Sequence, residues 1–224
     1  MKERLSNEVV AMRIASELAD GEVVNIGYGF ISNVSSFIPP GRDVIFHSES
    51  GVVGYGRVLT AGDDPVLMDY NLVNAASQFV TAEPGISFMN IAQAFDCIRV
   101  GRVDTTILGA YQVSEKGDLA NWSLDPQGKW GSIGGAMDMP VGAKRVIIGM
   151  EHTDAKNRPK IVKECTLPLT AAKCVKLIIT DLAVIEVTGE GLVLKEMAPG
   201  WTPEEIQELT EPRLLIRDVK EYSF

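Results

Sequence analysis

The chain opens on a helical pattern and then changes period. Over residues 7–19, Val10, Ile14 and Leu18 recur at i, i+4 and i+8, with Met12 and Ala15 beside them. That spacing predicts an amphipathic helix, with Gly21 as its expected C-cap. Apolar runs rich in β-branched residues follow: VVNIG (23–27), DVIFH (43–47), TTILGA (105–110), RVIIGM (145–150), KLIITDLAVIEV (176–187) and LVLKEM (192–197). They are continuous rather than alternating, as in strands buried on both faces. SFMNIAQAFDCIR (87–99) reads as a helix between two of them. TPEEIQEL carries a capping box, with Thr202 as N-cap, Pro203 at N1 and Glu205 at N3. Helix and strand signals in alternation predict an α/β fold with an open, mostly parallel sheet. No repeat, low-complexity tract or long linker divides the chain, so residues 1–224 read as one domain.

Composition narrows the function classes. The 224 residues are 46% apolar and 23% charged, as in an ordinary globular protein. No apolar run approaches the ~18 residues of a membrane span, and charges interrupt the N-terminus too often for a secretory signal. The net charge of -9 gives no footprint for nucleic acid or an anionic membrane surface. An anionic ligand would have to meet local cations, amide donors or a partner chain. Cys97, Cys165 and Cys174 match neither a disulfide framework nor a zinc site. Cys165 and Cys174 read as small buried hydrophobes, and reduced thiols point to a cytoplasmic protein. His47 and His152 stand alone, which leaves no ligand set for a catalytic metal. Dinucleotide, P-loop and GxSxG motifs are all missing.

Glycine placement is more informative. Gly27 and Gly29, then Gly51, Gly54 and Gly56, then Gly109, then Gly131, Gly134 and Gly135, and finally Gly149 fall just after predicted strands. Ligands of open α/β sheets bind at those strand ends, where glycine lets backbone N–H groups come close. Within FHSESGVVGYG (46–56), a strand runs directly into Glu49. A carboxylate fixed there is partly desolvated, which raises its pKa and suits a nucleophile or base. A solvated loop carboxylate or a helix cap fits the same position. The double glycine of SIGGAMD (132–138) could present N–H groups to an oxyanion. Gln112 is a polar residue at the sheet's carboxyl edge. Asn121 and Trp122 close GDLANW (117–122), with Trp122 expected in the core.

HSESGVVGYG, GAYQVSEKGDLANW (109–122), GGAMDMPVGAKRVIIGMEHT (134–153) and KECTLPLTAAKCVKLIITDLAVIEV (163–187) resemble the beta subunit of the 3-oxoacid CoA-transferases, of the succinyl or acetate/butyrate-acetoacetate type. The likeness runs in order from NIGYGF to MAPGWTPEEIQELTE. It implies a three-layer α/β fold with helices on both faces of the sheet. It also implies ping-pong CoA transfer between short-chain carboxylic acids, with acyl-CoA as substrate and no metal or resident cofactor. The residue matching the family's nucleophile is Glu49, and the oxyanion donor matches Gly135. Ser50, Gly51 and Gly54 would shape the elbow, while Gly27, Gly29, Gly134, Gln112 and Asn121 would meet substrate. A homologous alpha subunit would complete a heterotetramer or larger assembly, so this chain alone would be inactive. Departures are Ser50 for the usual Asn, Phe30-Ile31-Ser32 after the first glycine pair, and Val100 in place of a glycine. An acyl-CoA hydrolase working through the same intermediate, or a non-catalytic ligand-binding subunit, stays open at this point.

Overall fold

The computed structural model describes residues 2–223. Its elements begin with α1 (Asn7–Ser16), β1 (Val23–Ile26), β2 (Ile45–Ser48), β3 (Val52–Val58), β4 (Val80–Phe88) and α2 (Ile91–Arg99). They continue with β5 (Thr105–Leu108), β6 (Gln112–Ser114), β7 (Leu119–Ala120), α3 (Met139–Gly142), β8 (Arg145–Met150) and β9 (Ile161–Val162). The last third holds β10 (Leu177–Thr180), β11 (Ala183–Thr188), β12 (Gly191–Met197), α4 (Pro203–Glu208) and β13 (Leu214–Glu221). Ten strands form one sheet in the order β13-β12-β11-β10-β8-β5-β1-β2-β3-β4, and β7-β6-β9 form a second. The centre of the large sheet, from β2 through β1, β5 and β8 to β10, is parallel throughout. Both flanks turn antiparallel, at β2–β3 and at β10–β11.

Alternation along the central strands sends neighbours to opposite faces. Ile107, Ile147 and Ile179 join α1 and the 3₁₀ segment Phe30–Ser36 in one core. Val146, Ile148 and Ile178 join the other, beneath α2, α3, α4 and the small sheet. Ile147, Ile148, Ile178 and Ile179 are all fully buried, and cutting such a side chain to Ala costs about 2–5 kcal/mol. The three-layer α/β expectation therefore holds. One outer layer is thinner in helix than expected, because the three-stranded sheet covers part of that face.

Several local expectations need correction. The first helix ends at Ser16 with Glu17 as its cap, not at Gly21. Arg13 and Glu17 are drawn inward there: Arg13 meets Glu196 at 2.8 Å and Glu17 at 2.8 Å, and Glu17 also pairs with Arg145. Gly21, at φ +76°, instead donates its N–H to the Asp43 carbonyl at 2.7 Å. The run 176–187 is two strands rather than one. Thr180 Oγ1 accepts the N–H groups of Leu182 and Ala183 at 3.1 and 3.0 Å, which folds β11 back on β10. That turn is itself buried, so no polar punctuation marks it. Ser87 and Phe88 finish β4, and the following helix starts only at Ile91 behind an Asn90–Gln93 capping box. GVVGYG is mostly strand β3 rather than loop. The Thr202–Glu205 capping box forms as read. Among the described residues, no helix is long and apolar enough to cross a membrane.

Candidate active site

Four neighbouring parallel strands end at one cavity of about 640 Å³. Glu49 follows β2, Gly27 and Gly29 follow β1, Gly109 follows β5, and Gly149 lies within the last turns of β8. The far wall comes from Asn121, Trp122, Met139 and the Gly134-Gly135 segment. This is the carboxyl edge of the parallel centre, where side chains stop filling space and backbone is free to meet a ligand.

Glu49 is half-buried and held from the side by β1. Asn25, fully buried and in register with His47, donates its Nδ2 to Glu49 Oε2 at 3.2 Å. Thr106 on β5 donates to Asn25 Oδ1 at 3.2 Å. That bond fixes which end of the amide faces the carboxylate. The same Nδ2 lies 3.3 Å from His47 Nδ1, and His47 Nε2 lies 3.1 Å from the Ala94 carbonyl. Nε2 therefore carries the proton and Nδ1 accepts; burial pushes the His47 pKa down, in keeping with a neutral ring. Burial pushes the Glu49 carboxyl above its ordinary value, and its own backbone N–H and Asn25 oppose that rise. Sequence patterns do not single out Asn25. Its signal is a lone amide inside an otherwise apolar buried strand, where an amide needs a partner.

Gly135 lies against the carboxylate. A Cβ on Gly135 would stand 3.3 Å from Glu49 Oε1 and 2.5 Å from Met139 Cε. Gly134 before it has φ +52°, a left-handed conformation that favours glycine. The arrangement offers one carboxylate oxygen tethered and the other beside an unobstructed backbone. The Coenzyme A transferase family model matches residues 7–209.

The chain belongs to the coenzyme A transferase family.

It is 46% identical over 209 residues to a probable coenzyme A transferase beta subunit of Bacillus subtilis (strain 168), covering 93% of this chain and 94% of that one. It is 39% identical over 212 residues to a 3-oxoadipate CoA-transferase subunit of Acinetobacter baylyi (strain ATCC 33305 / BD413 / ADP1), covering 95% and 96%. Among solved structures, the acyl-CoA transferase (YdiF) apoenzyme from Escherichia coli O157:H7 shares the fold, with TM-score 0.75 at 21% identity; the match takes in 100% of this chain and 44% of that one.

The remaining residues that the sequence nominates for the site fall into two groups. Gly27, Gly29, Asn121, Gly134 and Gly135 line the cavity with Glu49. The Asn121 amide is committed to structure, donating to the Gly109 carbonyl at 3.1 Å and accepting from Thr170 at 2.7 Å. Ser50, Gly51, Gly54 and Gln112 lie outside the cavity wall. Gly51, at φ +108°, turns the chain into β3, and a Cβ there would strike the Met89 carbonyl at 2.2 Å. Gly54 approaches Ile86 on β4. The Ser50 hydroxyl lies 2.7 Å from Ser48 Oγ. The Gln112 side-chain oxygen accepts the N–H groups of Thr166 and Leu167. Trp122 is not in the core: it is half-buried in the cavity wall, its indole N–H on the Leu169 carbonyl at 3.3 Å.

Other candidates for chemistry are occupied or inert. Burial pushes the Cys165 and Cys174 thiols up to about 11, which keeps them protonated. Among the described residues, no three of His, Cys, Asp and Glu gather closely enough to hold a metal ion.

Proposed function

We propose that this chain is the catalytic beta subunit of a two-chain enzyme that moves CoA between short-chain carboxylic or 3-oxo acids, by a ping-pong route through a thioester on Glu49. The observation that carries the reading is the Glu49 carboxylate: it lines the strand-end cavity, is desolvated by burial, is tethered at Oε2 by Asn25, and lies against Gly135. Desolvation strips water from a nucleophile, and a fixed carboxylate gains from proximity.

In this route the Glu49 carboxylate attacks the acyl-CoA carbonyl. CoA leaves as thiolate, and a mixed acyl–glutamyl anhydride remains. The thiolate attacks the glutamyl carbonyl, the first acid leaves as carboxylate, and Glu49 carries CoA as a thioester. A second carboxylate runs the two steps in reverse and departs as acyl-CoA. The Gly135 backbone N–H stabilises the oxyanion of each addition. CoA enters as a substrate, and the route calls for no metal or resident cofactor. Relatives named as CoA-transferase subunits, one of them from a 3-oxoadipate CoA-transferase, support an alpha-subunit partner and an acid of this class.

The test is the intact mass of this chain, assembled with its alpha partner and given short acyl-CoAs without an acceptor acid. A CoA-sized adduct is expected, released by borohydride with Glu49 reduced to the alcohol. An assembled complex that forms no adduct with any acyl-CoA would overturn covalent transfer.

A further inference from the structure

Helix α2 touches both halves of the site. Met89, just ahead of it, donates its N–H to the Gly51 carbonyl at 2.9 Å, and the Ala94 carbonyl within it takes His47 Nε2 at 3.1 Å. Those two bonds fall on either side of Glu49 in the chain. At its far end α2 reaches the glycine segment. Arg99 donates Nε and Nη2 to the two carboxylate oxygens of Asp138 at 2.8 and 3.2 Å, and its guanidinium lies over the Phe95 ring at 5.5 Å.

Asp138 is the junction between Gly135 and α3. Its N–H donates to the Gly135 carbonyl at 3.2 Å, and its carbonyl accepts from Gly142 at 2.8 Å. An Asp at a helix start ordinarily turns its carboxylate back on the first N–H groups. Asp138 makes no such bond. Among the described residues, Arg99 is the one donor to its carboxylate. Residues 121–133, on the near side of the glycines, carry neither helix nor strand, and Gly131, Ser132, Gly134 and Met137 are exposed. On the far side the chain is firm, with Met139 buried in the same core as Ile98 of α2.

Stability does not account for the pair. The Arg99 side chain is 54% exposed, and a surface ion pair contributes little to folding. What the fork supplies is geometry. A bidentate Arg–carboxylate pair fixes distance and plane together, and here it does so at the residue that anchors Gly135. A Cβ on Gly135 would stand only 3.3 Å from Glu49 Oε1. At such a site a displacement of about 1 Å can cost roughly 100-fold in rate.

We propose that Arg99 is a positioning residue: through Asp138 it holds the Gly134-Gly135 backbone at its working distance from Glu49, so that α2 aligns nucleophile and oxyanion donor against one another. This rests on Glu49 and Gly135 in the roles given above, and it adds the device that aligns them.

The test is single-turnover loading of Glu49 from butyryl-CoA, on the assembled two-chain enzyme without an acceptor acid. Arg99→Met and Asp138→Ala are each expected to lower the maximal loading rate roughly 20-fold, with the half-saturating butyryl-CoA concentration changed by less than about 2-fold. The double variant should load within about 2-fold of either single one, because both changes remove the same tie. Arg99→Lys should recover only part of the rate, since an ammonium lacks the fork. Tm should move by less than about 2 °C in every variant. Losses that multiply in the double variant, an unchanged rate in Arg99→Met, or a fall in Tm that tracks the fall in rate would each overturn the proposal. So would a loss confined to half-saturation that disappears with butyryl-pantetheine, which assigns Arg99 to the nucleotide phosphates. A wild-type complex that forms no adduct sinks the transferase reading along with this one. Normal wild-type loading that ignores changes at Arg99 and Asp138 sinks only the tie.

Discussion

Two buried polar clusters hang on the same parallel sheet, and they differ in what they leave unpaired. Around His152, at the end of β8, the network closes on itself. Its ring nitrogens lie 2.9 Å from the Thr180 and Thr210 hydroxyls, and its backbone N–H donates to Asp181 at 2.7 Å. Asp181 in turn meets Arg4 at 2.9 Å. Thr210 donates onward to the Ile206 carbonyl, so its oxygen accepts the His152 Nε2 proton, and burial keeps the ring neutral. Around Glu49 the partners are fewer and one-sided. Asn25 serves Oε2, while Oε1 lies against Gly135 at the cavity. A saturated network rigidifies a fold; an unsaturated one at a cavity keeps free energy available for a ligand.

The widest separation between the two clusters comes from removing the carboxylate. Glu49→Gln should abolish the CoA adduct and lower the transfer rate by roughly 10⁴-fold or more, measured on the assembled complex. The same substitution should raise Tm by roughly 2–4 °C, about 1 kcal/mol in a domain this size. The sign follows from the raised carboxyl pKa. Folding favours the protonated form, so this contribution is present below the ordinary value of 4.5 and is lost as pH rises through the folded value. At neutral pH the charged carboxylate is a burden that Gln lifts. A fall in Tm would mean that Glu49 is a structural residue like His152.

The His152 cluster should answer in the opposite way. Burial holds the ring at about 4, against 6.5 when exposed. A histidine with a depressed pKa gives stability that is present above the unfolded value and lost as pH falls through the folded one. From pH 6.5 down to 4 the loss amounts to about 3 kcal/mol for this group. His47 contributes in the same direction. Urea midpoints across that window should therefore drop less steeply for His152→Gln than for wild type. Parallel curves would show that the ring is not buried neutral.

Asn25→Ala probes the link between clusters and chemistry. Asn25 acts as a positioning residue, so its loss should slow transfer roughly 10- to 100-fold. It should also move the acid limb of the pH–rate profile upward, because a bond that favours the charged carboxylate is gone. A slower enzyme with an unmoved limb would point to packing alone. The smallest effect is expected from Ser50→Asn, since Ser50 is exposed and bonds to Ser48 outside the cavity wall. The ratio of acetyl-CoA to butyryl-CoA turnover should change by less than about 2-fold; a larger change would bring residue 50 into the site.

Legibility from sequence follows burial pattern closely. RVIIGM is bounded to the residue as β8, because its apolar run is flanked by charge and glycine. Glu49 and the glycines of the cavity are legible because strand-end glycine and a carboxylate form a local pattern. Asn25 and the tie of Arg99 to Asp138 are not. Each depends on a distant segment: Asn25 on register with β2, and Arg99 on a residue 39 positions further along the chain. Strands β3 and β4 are hidden by glycine and by half-exposed faces. The turn between β10 and β11 is hidden because it is apolar. Trp122 reads wrongly as core because composition gives no account of a cavity.

The long-range pairing of the first helix also sets a schedule. Arg13 on α1 finds Glu196 across 183 residues of chain, and Leu5 donates its N–H to the Asp181 carbonyl. At roughly 5–20 residues per second of synthesis, the first helix leaves the ribosome about 10–40 s before its partners exist. Until then an amphipathic helix carries a buried-type arginine with its neighbour Glu17 but without Glu196, and it depends on the last third of the chain for its place. Truncation near the C-terminus is therefore felt first at the N-terminus.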